Sequence, residues 1–494
     1  MNDLTDARLE LLRRRLAATG AARHRTDRAR TEAGSRPASA GRLGTAERRM
    51  WKIYELDPDS ISHNIGLILD FDRGYDLDTV IAAFDTMVGN AEVLGSVVTV
   101  DDEGVPRRVP ARRDGRWVVP GTVWEWGTTP GTAASAIPAA DSPASRAEIH
   151  AAATAFATVP LRLTAEPPLR ARIHANADGR VTVVLVVHHL AVDDTSWPLL
   201  LGTLVSGTWP GAAVEVSRML PPEAARPDEV DRAVRHALRT WAAEDIRFPL
   251  SGALPEISAA DSWLSPLVDS RGERLRHPIE PADIAALEGI AREVGATPNA
   301  LYIAVCGLTV YALTGAADHV LLVPADNRRA GEGPDRIGYS GNIIPMRFTF
   351  VPGTSVQDAL RAAVSSVYES MEFSSVDYGT VLTALRAAGG RFPVAEIMAS
   401  VRNAPLRGIR IPDGVHVTCE SVFNGVGNYP LTFAFEIGDD ARVHLEVDYQ
   451  PAVVDDAFAR RATQVVDALL KRVPLALDTA VDDLVRVVAE PQNA

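Results

Sequence analysis

Between residues 181 and 187 the chain reads VTVVLVV, apolar apart from Thr182 and rich in β-branched side chains. Successive side chains of a strand point to opposite faces, so a run of this kind suits a strand covered on both sides. The expectation is a layered α/β (α+β) protein with its sheet between helices. The run ends in His188 and His189, and after a short turn come Asp193 and Asp194. Neighbouring positions at the strand end face opposite ways, which tucks one imidazole into the structure and turns the other towards a cleft. One of the two carboxylates is near enough to hold a histidine or clamp the turn, and Ser196 stands where the next helix takes an N-cap.

An imidazole in a cleft suits proton transfer from an amine or hydroxyl, because its unperturbed pKa lies near neutrality. An adjacent histidine pair is, taken alone, more often two satisfied structural residues, so the surroundings have to decide. Zinc is disfavoured: no further His or Cys stands at ligand spacing, and the two cysteines, Cys306 and Cys419, are far apart. The same count rules out a disulfide framework and suits a reducing cytoplasm. A net charge of −14 argues against a nucleic-acid partner. No segment is long enough to cross a membrane as a helix, and the N-terminus lacks the apolar core of a signal peptide.

At 494 residues two lobes are expected. Residues 1–42 stand apart: Leu9, Leu12 and Leu16 form an amphipathic stripe that stops at Gly20, and a segment without apolar periodicity follows. That segment and helix carry ten arginines against five acidic residues, which leaves −19 for the remaining chain. We read 1–42 as a helix and flexible linker, with residues 1–20 a possible docking element for a partner protein. Residues 43–220 form the lobe bearing the histidine pair and 221–494 the second lobe, the boundary falling in the linker-like stretch PGAAVEVSRMLPPEAARPDEV. Both lobes alternate helix and strand signals, among them helices in AERRMWKIYELDP and NALYIAVCGLTVYALTG and strands in NIGLILDF and LTFAFEIG.

HHLAVDD, His188 to Asp194, resembles the HHxxxDG motif of the condensation domains of nonribosomal peptide synthetases, members of the chloramphenicol-acetyltransferase-like superfamily. GTAERRMW, Gly44 to Trp51, is similar to the family's opening SxAQxRxW, and PLRLTAEPPLRARI resembles the PFDLxxGPLLRAxL stretch ahead of the active-site strand. IGYSGNIIPMR, Ile337 to Arg347, resembles IGxFVNTLPLR, and NYPLTFAFE and LEVDYQ are similar to the closing strands. Their order and spacing over residues 43–475 carry the resemblance.

The resemblance implies two chloramphenicol-acetyltransferase-like lobes in a V-shaped pseudo-dimer, with an active-site tunnel between them. It implies that carrier proteins thread phosphopantetheine arms inward, where a donor thioester is attacked by an amine or hydroxyl, and that no cofactor of the chain's own is needed. His189 is then the residue facing the tunnel, with His188, Asp193 and Asp194 as its supports and Ser196, Asn342, Arg347 and Arg328 as structural or lobe-interface residues.

Three departures from the family pattern bear on chemistry. The two arginines of RHExLRT become Gly89 and Gly95, so a buried Asp193 needs another partner, for which Arg347 and Arg328 are the candidates. The final glycine of the main motif is Asp194. MEFSSVDYGTVL is far from the usual HQDxPFE. No pantetheine-attachment serine or adenylation signature is evident, so substrates come from other proteins or free small molecules. The expected function is condensation of a carrier-bound acyl or aminoacyl group with an amine or hydroxyl. The alternatives are a noncatalytic platform recruiting carriers or tailoring enzymes, an acyltransferase using acyl-CoA, and an epimerization domain.

Overall fold

The computed structural model describes residues 41–113, 116–117, 124–126, 151, 153–175, 180–215, 224–243, 246, 249–250, 271–326, 337–387, 396–438, 440 and 442–490. The amphipathic helix and linker expected in 1–42 lie, but for the last two residues, outside the described residues, as does Arg328. The chain forms two compact units. Unit 1 comprises Met1–Ala224, Ala330–Ser340 and Pro405–Asn424; unit 2 comprises Ala225–Arg329, Gly341–Ala404 and Gly425–Ala494. The main crossing falls inside the linker-like stretch, whose last four residues open a helix, Pro227–Arg239.

Unit 1 is built on a five-stranded sheet. Its strands are β1 (Asn64–Arg73), β6 (Trp124–Trp126), β7 (Leu169–Ala175), β8 (Val181–His188) and β13 (His416–Val422), in the order β13-β1-β8-β7-β6. Small hairpins β2 (Ser96–Val100) with β3 (Pro106–Pro110), and β4 (Arg112–Arg113) with β5 (Arg116–Trp117), lie apart from it. Every residue of β8 is buried. Val183, Leu185 and Val187 pack with Phe84, Met87, Leu200 and Leu204 from the helices Leu77–Asn90 and Trp197–Ser206. Val184 and Val186 face the other way, onto Met50, Trp51 and Tyr54 of the helix Thr45–Leu56. The cover on both faces expected of VTVVLVV is therefore present.

Unit 2 has a six-stranded sheet, β11-β10-β12-β14-β15-β9. These strands are β9 (Glu273–Ile279), β10 (Asp318–Asp326), β11 (Gly341–Thr349), β12 (Ile397–Asn403), β14 (Leu431–Ile437) and β15 (Val443–Tyr449). One face carries the main core, where Phe433, Phe435, Leu445 and Val447 meet the helices Pro281–Val294, Pro298–Thr314, Val356–Met371, Asp456–Arg472 and Val481–Ala489. Thr297, Ser355 and Asp455 each cap the helix that follows by accepting a backbone N–H bond. On the opposite face, the helices Pro227–Arg239 and Tyr378–Ala387 cover Val320 and Leu322. The rest of that face is ionic: Arg274 pairs with Asp448, and Arg276 and Arg402 reach Glu436 and Glu446. Cross-strand neighbours of opposite charge replace apolar contacts there.

Cys306 is buried in the core of unit 2, and burial pushes its thiol far above the ordinary range, so it is a packing residue. Among the described residues no single helix is long and apolar enough to cross a membrane.

Candidate active site

Strand β8 delivers the histidine pair to a turn in which nearly every polar group is used. The backbone N–H of His188 donates to Pro168 O at 2.8 Å, and its Nδ1 accepts from Leu190 N at 3.0 Å. An accepting Nδ1 places the ring proton on Nε2. The ring is 3% exposed and meets Tyr54 edge-on at 6.1 Å. Burial holds it well below the ordinary histidine pKa, and His63, His189 and Arg108 add to that push.

His189 has the opposite arrangement. Its backbone N–H donates to His63 O at 2.8 Å, and its Nδ1 lies 2.7 Å from Val192 O. A carbonyl only accepts, so Nδ1 carries the proton and Nε2 keeps its lone pair. Among the described residues Nε2 has no hydrogen-bond partner. The ring is half-buried and packs at 68° against Tyr339, with centroids 4.8 Å apart. Two adjacent imidazoles thus carry different tautomers, one sealed in the core and one with a base exposed.

Asp193 locks the far side of the turn. Its Oδ1 accepts from Thr195 Oγ1 at 2.8 Å and Ser196 Oγ at 2.9 Å, and its Oδ2 accepts from the Ser340 backbone N–H at 3.0 Å. Ser196 therefore does not serve as the side-chain cap expected of it. It sits at the cap position with helical dihedrals, φ −80° and ψ −28°, makes no capping bond, and gives its hydroxyl to Asp193. Asp194 is exposed.

Arg347, expected as a cation for Asp193, is gripped within unit 2 by Asp318, with Nε 2.8 Å from Oδ1 and a second bond to Oδ2. Asn342 is a structural clamp of unit 2. Its Nδ2 donates to Ser374 O and Val376 O, both at 2.8 Å, and its Oδ1 accepts from Ile343 N and Tyr378 N.

Sequence reasoning missed His63, Tyr339, Arg108 and Glu47. His63 precedes β1, whose Asn64 is paired with His188, so antiparallel pairing of β1 with β8 brings a third imidazole in. Its ring lies 6.0 Å from that of His188, and its Nδ1 is 2.8 Å from Ser62 Oγ. Burial first, and His189 second, lower its pKa to about 3. Among the described residues no group of three metal-ligating side chains converges.

Arg108 on β3 forms a buried ion pair with Glu47, Nη2 to Oε1 at 3.0 Å, and the same nitrogen donates to Leu190 O at 2.7 Å. Glu47 closes the start of its helix by accepting from Gly44 N at 2.7 Å. The RR of RRVP and the Glu in GTAERRMW were the available signals, but only folding shows that they meet.

The chain is similar to several known proteins. A family model described as Condensation domain matches residues 42–207, the segment that contains β1, β8 and the histidine pair. Phosphinothricin tripeptide synthetase PhsB of Streptomyces viridochromogenes is 26% identical over 356 residues, 69% of this chain and 30% of that protein. The isonitrile lipopeptide synthase of Mycobacterium tuberculosis is 24% identical over 91% of this chain and 18% of its own length. The chain thus spans a third or less of these curated relatives. Among solved structures, the first condensation domain of the calcium-dependent antibiotic synthetase matches with a TM-score of 0.70 at 19% identity, covering 90% of this chain and 98% of that one. The fold is therefore that of the condensation domains, chloramphenicol-acetyltransferase-like. Motif, fold and relatives thus agree in a likeness to the condensation domains of nonribosomal peptide synthetases, with the family model covering residues 42–207.

Proposed function

We propose that this chain joins an acyl or aminoacyl group, held as a thioester on a carrier protein's phosphopantetheine arm, to an amine or hydroxyl. The observation that carries the reading is the His189 tautomer, with Nδ1–H spent on Val192 O and Nε2 left as a hydrogen-bond acceptor. In the proposed reaction the nucleophile's nitrogen or oxygen attacks the thioester carbonyl while its proton passes to Nε2. Collapse of the tetrahedral adduct breaks the C–S bond, and the departing pantetheine sulfur takes up that proton, so the amide or ester forms and His189 is restored. His188 and Asp193 act as supports that keep the turn in one geometry. No covalent enzyme intermediate is required, and the buried, unactivated Cys306 is unsuited to one.

The test is a carrier-based condensation assay, followed by mass spectrometry of the product, with wild type and His189→Ala. Loss of a general base costs 10²–10⁴-fold, so a drop of about a hundredfold or more is expected at unchanged melting temperature. Equal turnover in both proteins removes the reading. No turnover in either protein, together with retained carrier binding, favours the recruiting platform. Product formed from acyl-CoA without any carrier identifies the acyltransferase alternative.

We further propose that residues 1–20 dock a partner protein, since that segment concentrates arginine at the end of an amphipathic stripe. Removing residues 1–40 is expected to leave the melting temperature unchanged and to raise the KM for a partner supplied in trans. The two free cysteines fit a reducing cytoplasm as the place of action.

A further inference from the structure

Arg108 and Glu47 form an ion pair whose partners are 5% and 3% exposed. Such a pair is a poor device for stability alone. Both charges lose their hydration, and a packed apolar pair of the same volume serves stability as well or better. This pair carries an extra cost, because the Arg108 Nε is buried with no hydrogen-bond partner among the described residues. What the pair does that an apolar pair cannot is hold the Leu190 carbonyl, at 2.7 Å from Arg108 Nη2.

Leu190 is the residue after His189, and it is pinned from two sides. Its N–H is held by the His188 ring at 3.0 Å and its C=O by Arg108. Arg108 is itself immobilised: its backbone N–H donates to Gly41 O at 2.7 Å, its strand is paired to β2, and Glu47 fixes the guanidinium. The turn from His188 to Val192 is short, and the bond from His189 Nδ1 to Val192 O spans it at 2.7 Å. That peptide also keeps the bond from its Ala191 N–H to His188 O at 2.9 Å, so loss of the Arg108 donor is expected to tilt the Leu190–Ala191 unit about that bond and carry Val192 O from its place opposite Nδ1. The His189 ring then loses the one contact that selects its tautomer.

We propose that Arg108, charge-balanced by Glu47, is a positioning residue for the reaction, which fixes the Leu190 peptide so that His189 keeps its proton on Nδ1 and its lone pair on Nε2. This rests on the reading of His189 as the proton acceptor, but its readout does not. Arg108→Met alone strands the Glu47 carboxylate in the core and is expected to unfold. The informative variant is therefore Glu47→Gln with Arg108→Met, which removes both charges at nearly constant volume. Two quantities are measured. One is the tautomer of His189 by ¹⁵N NMR of histidine-labelled protein, the resonance being assigned by its absence in His189→Gln. The other is kcat and KM in the condensation assay.

In the double variant the His189 signal is expected to move from the Nδ1-protonated form to a mixture. Its kcat is expected to fall about tenfold or more at constant KM. Arg108→Lys with Glu47 retained, which keeps the ion pair and a donor for Leu190 O, is expected to recover most of both. Should the Met variant fail to fold, Glu47→Gln with Arg108→Leu, which likewise offers no donor, takes its place with the same expectations. A wild-type tautomer in a folded Met or Leu variant overturns the proposal, as does equal loss in the Lys and Met forms. If wild type shows the Nδ1-protonated signal but His189→Ala keeps full turnover, the catalytic reading fails while the positioning role of Arg108 is still decided by the tautomer.

Discussion

His188, His63 and His319 are imidazoles that the fold keeps uncharged. Burial is the largest cause in each, lowering His63 to about 3, His319 to about 4 and His188 well below its usual value. Their unfolded values lie near 6.5, so above that pH neither state is protonated and they do not affect stability. As pH falls below it, the unfolded chain takes up protons that the folded chain refuses, and each group then costs about 1.4 kcal/mol per pH unit. The loss ends only when the folded values are reached. Carboxylates with lowered pKa, such as Asp101 and Asp482, lose their contribution below about pH 4, so the two classes separate. Urea titrations between pH 7.5 and 4.5 should show a steep loss of stability beginning near 6.5, shallower in His63→Gln.

At this scale the sequence was informative about His188 and His189, because strand alternation alone assigns them different environments. It was silent on the Ser340 amide that meets Asp193, since nothing local marks a bond between residues 147 positions apart.

Elements show the same division between local and distant information. The helix Thr45–Leu56 was legible in AERRMWKIYELDP, where Ala46, Met50, Trp51 and Tyr54 recur at helical spacing. The ionic face of β9, β14 and β15 was not, because Arg274 and Arg276 acquire meaning only once Glu446 and Asp448 lie opposite them.

Two glycines give a direct test of element packing. A Cβ on Gly89 meets nothing within 4 Å, so Gly89→Ala, near the end of a helix, should stabilise by about 0.5–1 kcal/mol through helix propensity. A Cβ on Gly272 falls 2.3 Å from Gly427 N and 2.7 Å from Val426 C, both backbone atoms that have no rotamer to yield. Gly272→Ala should cost about 1–3 kcal/mol by overpacking, or more. Denaturant midpoints of the two variants are expected to move in opposite directions, and equal shifts contradict the packing described for the Arg271 and Val426 bridge.

At the level of the whole molecule, the order of segments differs from the order of units. Strand β13 belongs to unit 1, yet it lies between β12 and β14 of unit 2 in sequence. It pairs with β1 from Gly66↔Val422 to Phe71↔Val417, which leaves β1 an interior strand. A fragment of residues 1–224 lacks this strand and exposes the β1 edge with Leu67, Leu69 and Phe71 beside it. We expect that fragment to aggregate or bind a hydrophobic dye, and to become soluble when residues 405–424 are fused to it through a linker. Folding of 1–224 by itself to a cooperative, monomeric state contradicts the pairing. The α/β character of the chain could be read from composition and periodicity. The returns at 330–340 and 405–424 could not, since a strand's sequence does not name its neighbour.

The late arrival of β13 also sets a timetable for synthesis. At about 5–20 residues per second, roughly 10–40 seconds separate the emergence of residue 224 from that of the strand completing its sheet. Throughout that interval the ribosome displays a half-built sheet with a bare apolar border. Trigger-type chaperones that shield nascent chains therefore have a defined window in which to act on this protein, and slowing translation downstream of codon 224 should lower the soluble yield.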